Sequence, residues 1–255
     1  KIRKEGAFTD NARTDHNITI TLPNHTGMLT SLPFKTIIKS TMKTVGHGVY
    51  FNKDYTDMNI HMLNNNYTYS IFNTLFNNNK TGSMYVNKEK FTFIYKSYKQ
   101  YIKKFFINPN NNIGVVPIIK ELINDIKNGS ASDYNFIHYG QTDKMGHKHG
   151  WNSKEYKEAL MNIDYNIGVL INVLDNLKKK YYIIITTDHG FGGPEKTAHH
   201  DITNKVNFTI PYYVYKNGGL NLKNNDLYTI NLMTRKEPST EVNPNYNGMQ
   251  PIRNS

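Results

Sequence analysis

Between Tyr134 and Thr186 the chain reads as a strand, a long amphipathic helix and a second strand, and no other stretch limits the fold so tightly. Tyr134–Tyr139 and Tyr181–Thr186 are short apolar runs rich in β-branched and aromatic side chains, the pattern of buried strands. Ser153–Lys179 sets Tyr156, Ala159, Leu160, Ile163, Ile167, Leu170, Ile171, Leu174 and Leu177 on one stripe at helical spacing. Asn152 and Glu155 read as a capping box at its start, and Lys178–Lys180 complement the dipole at its end. Strand, helix, strand in this order predicts a parallel pair joined by a right-handed crossover. Both strands then end on one edge of the sheet, so Asp143 and Asp188, just past those ends, are expected to approach each other.

The rest of the chain fits an α/β protein with a central, mostly parallel sheet flanked by helices. At 255 residues it is long enough to bury a full core, and we read residues 1–255 as a single domain. Val115–Lys127 is a predicted amphipathic helix with Gly129 as its cap, and Gly82–Asn87 is a predicted strand. Tyr67–Asn77 has helical spacing, and Thr14–Ile20 reads as extended. Pro23 opens a short helix through His25–Ser31, because proline is tolerated in a first helical turn. Phe208–Tyr215 reads as a strand in which Pro211 requires a bulge or an edge. Asparagine runs at Asn64–Asn66, Asn77–Asn79 and Asn108–Asn112 mark loops.

The chain has no cysteine, which excludes disulfides, thiolate metal sites and thiol catalysis. Any metal must be held by His, Asp, Glu or hydroxyl groups. The net charge of +11 suits an anionic substrate, but the lysines are scattered among asparagines and tyrosines. No basic stripe interleaved with aromatics marks a nucleic-acid track, so no specific nucleic-acid binding is expected. No apolar run reaches the length of a membrane span.

Three Asp/His clusters fall near predicted strand ends: Asp143 with His147, Asp188 with His189, and His199 with His200. Each alone is compatible with an exposed polar loop. Together, in a chain without cysteine, they are enough for two zinc-like ions with a nucleophile or water completing each shell. Thr21, at the start of the Pro23 helix, is either that helix's N-cap or a nucleophile facing the positive end of its dipole. Asn24 lies one turn further on, where its amide can meet a phosphoryl oxygen.

These motifs occur in a known order. Thr-Leu-Pro-Asn-His-Thr-Gly-Met-Leu-Thr at 21–30 and Gly-His-Gly-Val at 46–49 resemble the nucleophile region of the alkaline phosphatase superfamily. The nearest resemblance is to its type I phosphodiesterase/nucleotide pyrophosphatase branch. Asp143 and His147, then Thr-Asp-His-Gly at 187–190, then a later His before Thr-Ile-Pro at 209–211, follow that branch's order. The resemblance implies an alkaline phosphatase-like fold and hydrolysis of phosphodiesters or nucleotide pyrophosphates through a phosphothreonine intermediate. Phosphomonoesters, phosphonates and sulfate esters are the alternatives on the same frame, as is an inactive metal-binding member.

Residue by residue, Thr21 matches the nucleophile and Asn24 the phosphate-contacting amide. Asp143, His147 and His200 match the ligands of one ion, with His199 the second choice for the last. Asp188 and His189 match those of the other, and both ions are expected to be zinc. A small phosphate ester is the implied partner, and relatives favour an extracytoplasmic location. Phe51–Asn112 is expected to include a substrate-facing insertion in which Lys88 and Lys90 either meet an anionic leaving group or are merely solvated. The branch also has a metal-ligating Asp on a first strand, and Asp10 and Asp15 are too close to Thr21 to supply it. With the short closing segment Met249–Ser255, this gives the expectation of a chain truncated at both ends. Ser31 stands where the family usually has glycine.

Overall fold

The strand Gly82–Val86 is buried along its whole length and has a parallel neighbour on each side. It lies near the middle of a computed structural model that describes residues 1–15, 18–38, 43–55, 57–63, 66–109, 116–192, 197–222 and 224–230. The elements in chain order are α1 (Ile2–Glu5), β1 (Ala7–Arg13), α2 (Thr21–Thr30), β2 (Thr36–Ile38), β3 (Lys43–Val45), α3 (Ile60–Leu63), α4 (Ile71–Asn77) and β4 (Gly82–Val86). There follow α5 (Thr92–Tyr98), β5 (Ile102–Ile107), α6 (Val116–Lys127), β6 (Tyr134–Ile137), α7 (Gln141–His149) and α8 (Lys154–Asn176). The last are β7 (Tyr182–Thr186), α9 (Lys205–Phe208), β8 (Thr209–Lys216) and α10 (Leu227–Ile230). Asn17 and Met249–Ser255 lie outside the described residues, as do parts of the asparagine runs at Asn64–Asn66 and Asn108–Asn112.

The parallel sheet has the order β5-β4-β6, with Met84 opposite Phe136 and Tyr85 opposite Ile137. Because side chains alternate along a strand, β4 feeds two cores. Met84 and Val86 enter one with Leu22 and Leu29 of α2, Phe72 of α4 and Phe93 and Ile94 of α5. Tyr85 enters the other with Ile118, Ile119, Leu122 and Ile126 of α6 and Leu170 of α8. Helices thus cover both faces, which is why β4 is apolar on both sides. Phe51–Asn112, expected to include an insertion, contributes β4 and β5 to this sheet.

The predicted pairing of the strands around the long helix is corrected by the structure. β6 pairs with β4, whereas β7 is the edge of a separate antiparallel sheet of order β1-β8-β7. β7 is also not a buried strand, since Tyr182 and Ile184 are exposed. β1, which the sequence reading did not identify, occupies Ala7–Arg13, and Thr14–Ile20 is not a strand over its described residues. Pro211 lies in the central strand of that sheet, where the register jumps from Thr9 opposite Tyr212 to Ala12 opposite Ile210. The bulge accommodates the missing N–H, so the proline takes the first of its two expected settings.

Local capping explains two shifted boundaries. α4 starts at Ile71, after a capping box of Ser70 and Asn73, not at Tyr67. α8 is capped by Ser153, whose side chain accepts from the Tyr156 N–H, not by Asn152. Gly129 follows α6 in the left-handed region (φ 71°), the conformation its predicted cap role requires. Among the described residues no helix is long and apolar enough to cross a membrane.

Candidate metal centre

Thr21 is the first residue of α2, and Ile20 before it is extended, so Thr21 is inside the helix and is not its N-cap. Pro23 sits at the third position, where no intrahelical N–H is lost. The Leu22 N–H is taken by Asn52 Oδ1 at 3.0 Å. Ser31 ends the helix in the left-handed region (φ 57°), the conformation that glycine adopts without strain. This accounts for a glycine preference at that place.

The segment before α2 ties this helix to the other two clusters. Thr14 Oγ1 donates to the Asp188 carbonyl at 2.5 Å. Thr19 Oγ1 donates to the His199 carbonyl at 2.6 Å, and His199 Nδ1 lies 2.6 Å from the Thr19 carbonyl. One turn into α2, His25 Nδ1 is 2.8 Å from the Thr21 carbonyl and 3.5 Å from Asp188 Oδ2. Asn24 is bound within the chain: its Nδ2 donates to the Ile18 carbonyl at 2.9 Å and its Oδ1 accepts from the Asp15 N–H at 3.3 Å.

Asp143 and His147 sit on α7, not in an exposed loop, and the four-residue spacing puts both on one helical face. His147 Nε2 is 3.4 Å from Asp143 Oδ1, and His199 and His189 present Nε2 atoms at 3.7 and 3.8 Å from the same oxygen. His189 Nε2 is in turn 3.3 Å from Asp188 Oδ2. Asp143, His147 and His199 can each offer a ligand atom within 4.8 Å of the others. The sequence reading preferred His200. The structure instead buries His199 (2% exposed) in the cluster and leaves His200 exposed.

The hydrogen bonds fix what these rings offer. The Nδ1 atoms of His147, His189 and His199 face the carbonyls of Thr197, Gly190 and Thr19 at 2.9, 2.9 and 2.6 Å. A carbonyl can only accept, so each Nδ1 carries the proton, and in the neutral ring each Nε2 is a lone pair. Three lone-pair nitrogens then converge on carboxylate oxygens. Among the described residues, Asp143 Oδ1, Asp188 Oδ2 and His189 Nε2 are all buried without a hydrogen-bond partner. Orphaned acceptors facing one another, each ring held by a backbone carbonyl, are what a bound cation needs. The donor set of nitrogen and oxygen fits zinc.

The charges agree with this. Burial works to raise the Asp143 carboxyl, but His147, able to donate to it at 3.4 Å once protonated, and the charges of Lys88 and His189 hold it well below the usual carboxylate range. Burial likewise opposes the drop at Asp188, where the charges of His189, His25 and Lys88 prevail. Burial, helped by the charge of His189, lowers His199 to about 3. The Asp143 hydrogen bond raises His147.

Lys88 Nζ lies 2.6 Å from Asp143 Oδ2, and burial with the nearby charge of Lys88 lowers Lys90 to about 8. Both lysines line a cleft of about 930 Å³ with Asn52, Lys53 and Asp143, so neither is simply a solvated surface lysine. Asp10 is exposed and pairs with Arg3 and Tyr213, while Asp15 Oδ2 accepts from the Phe34 N–H at 2.6 Å. Neither belongs to the cluster among the described residues.

The chain thus joins an α/β fold to a candidate cation-binding group of His and Asp side chains, tied by Thr14 and Thr19 to the segment that leads into α2. The model of the type I phosphodiesterase / nucleotide pyrophosphatase family matches residues 1–250, and the chain belongs to that family. Among solved structures it is similar to murine ectonucleotide pyrophosphatase / phosphodiesterase 5, with a TM-score of 0.53 at 17% identity over 75% of this chain and 52% of that one. An inactive threonine-to-alanine variant of the murine protein, in complex with AMP, gives 0.51 at 16% identity over 75% of this chain and 51% of that one. The human counterpart gives 0.50 at 18% identity, again over 75% of this chain and 51% of that one. A stretch of 90 residues is 30% identical to alkaline phosphatase PhoD of Zymomonas mobilis, covering 34% of this chain and 16% of that protein. The likeness to the solved structures shows the alkaline phosphatase-like fold, and this chain spans about half their length.

Proposed function

We propose that this chain carries the catalytic centre of a metal-dependent hydrolase of phosphodiesters or nucleotide pyrophosphates, with Thr21 as nucleophile. The observation that carries the reading is the convergence of the lone-pair Nε2 atoms of His147, His189 and His199 on Asp143 and Asp188. Asp143, His147 and His199 would hold one ion, and Asp188 and His189 a second. Two zinc ions so held would supply Lewis-acid activation of the attacking and leaving oxygens.

The chain's own residues do the rest. Thr21 Oγ forms the bond to phosphorus as the bond to the leaving oxygen breaks, giving a phosphothreonine that still carries the substrate's other ester group; water then cleaves the Thr21–phosphorus bond, releasing the monoester and regenerating the hydroxyl. The helix start stabilises the charge at Thr21. Thr14 and Thr19 hold Asp188 and His199 in register with that helix. Lys88 and Lys90 meet the anionic substrate from the cleft. Asn24 offers the amide proton that Ile18 leaves unused to a phosphoryl oxygen.

The AMP complex of the murine threonine variant supports a nucleotidyl group at this site. The similarity to alkaline phosphatase PhoD favours a second reading, phosphomonoester hydrolysis on the same residues. The test is turnover of bis-(p-nitrophenyl) phosphate against p-nitrophenyl phosphate by wild type and Thr21→Ala, with mass spectrometry of the trapped intermediate. A p-nitrophenyl phosphoryl group on Thr21 from the diester, a bare phosphate from the monoester, and loss of turnover in the variant are expected. Full turnover by Thr21→Ala sinks the nucleophile assignment, and preference for the monoester selects the second reading.

A further inference from the structure

Asn87 directly follows β4 and is 2% exposed. Its Oδ1 accepts from the Gly140 backbone N–H at 3.0 Å and lies 2.9 Å from His138 Nδ1. A backbone N–H can only donate, so the amide atom facing it is the oxygen, and the orientation of the amide is settled by that bond. His138 Nδ1 therefore also donates to Oδ1. Among the described residues the Asn87 Nδ2 is left buried with no hydrogen-bond partner. Folded proteins rarely leave a buried donor unpaired without a reason.

The structural work of this residue needs only the oxygen. Oδ1 joins the end of β4 to the turn that starts α7, and α7 carries Asp143 and His147. The unmet nitrogen needs another explanation, and its position supplies one. Asn87 lines the cleft beside Lys88 and Lys90, close to Asp143. A neutral donor of fixed direction next to two lysine charges is the arrangement that places an oxyanion as well as attracting it.

We propose that Asn87 is a substrate-binding residue whose Nδ2 donates to a non-bridging oxygen of the phosphate ester, between the charges of Lys88 and Lys90. The inference rests on the phosphate-ester reading given above. Asn87→Asp separates the two jobs of the side chain, because a carboxylate still accepts from Gly140 and His138 but cannot donate. Asn87→Ala removes both jobs without adding charge.

The experiment titrates inorganic phosphate calorimetrically into the zinc-loaded chain and its variants, alongside their melting temperatures and kcat and KM. Both variants are expected to bind phosphate about tenfold to a hundredfold more weakly, the loss of one hydrogen bond to a charged group. KM should rise in step while kcat changes less. Asn87→Asp should melt near the wild type, and Asn87→Ala lower. If either variant, folded by circular dichroism, binds phosphate with the wild-type Kd, the donor role is overturned. A wild-type protein that binds no phosphate overturns the phosphate-ester reading and this inference with it.

Discussion

His147 Nε2 lies 3.1 Å from His199 Nε2, and the backbone carbonyls on the far side of each ring leave both nitrogens as acceptors when the rings are neutral. Two lone pairs at that distance repel unless a proton or a cation lies between them. Asp143 Oδ1, buried beside them with no hydrogen-bond partner among the described residues, adds a negative charge to the same point. The pair is therefore the point of the candidate centre where a cation would relieve the most repulsion.

His199→Ala should weaken zinc binding by more than the roughly 10–100-fold seen when a ligand's supporting partner is lost, because it removes a ligand outright. His200→Ala, on the neighbouring exposed residue, should leave zinc affinity unchanged. Competition titration with a chromophoric chelator measures both. Equal losses in the two variants would contradict the placement of His199.

Acid should release the metal through His147. Its hydrogen bond to Asp143 raises its pKa above the ordinary histidine value in the metal-free protein. A ligand nitrogen must be deprotonated to bind, so affinity should fall as pH drops through that raised value, by about tenfold per pH unit for one displaced proton. Zinc affinity followed from pH 8 to pH 5 gives the slope. A flat profile over that range means that His147 gives up no proton on binding.

Much of the site was legible in the sequence although part of the sheet was not. The long helix, the helix before Gly129 and the strand at Gly82 were set by local periodicity, which a sequence displays directly. Strand pairing is not local. β6 and β7 do not pair, yet their ends still bring Asp143 and His189 within 3.8 Å, because the chemistry follows the strand ends whichever neighbours the strands have. β1 was illegible because AFTDNAR lacks clean alternation and gains its order from β8 and a bulge. α7 was illegible as a helix because it is polar and carries Gly146, whose missing side chain leaves room for the Phe191 ring. Choosing between His199 and His200 depended on which ring faces inward, and spacing to Thr209 does not encode that.

Gly190 is required by packing. A Cβ built there would lie 1.7 Å from the Val206 carbonyl oxygen, and the Gly190 N–H donates to the Asn207 carbonyl at 2.8 Å. Both contacts are to backbone, so the strain cannot be relieved by a side-chain rotation. The Gly190 carbonyl also holds His189 Nδ1. Gly190→Ala should therefore cost more than about 3 kcal/mol in urea unfolding and lower zinc affinity together. A variant as stable as wild type would mean that the turn relaxes.

His47 offers a stability test away from the metal centre. It is 1% exposed, its Nδ1 accepts from the Val49 N–H at 3.1 Å, and burial lowers its pKa from 6.5 to about 4. Below pH 6.5 the unfolded chain binds a proton at this position that the folded chain refuses. Stability from this group is complete above pH 6.5 and is lost as pH falls towards 4, on the order of 3 kcal/mol over that window. His47→Asn keeps an acceptor for Val49 and removes the titration. Urea unfolding at pH 7 and pH 4.5 should show a shallower loss for the variant than for wild type. Parallel losses in the two proteins would mean that the folded chain accepts the proton as readily as the unfolded one.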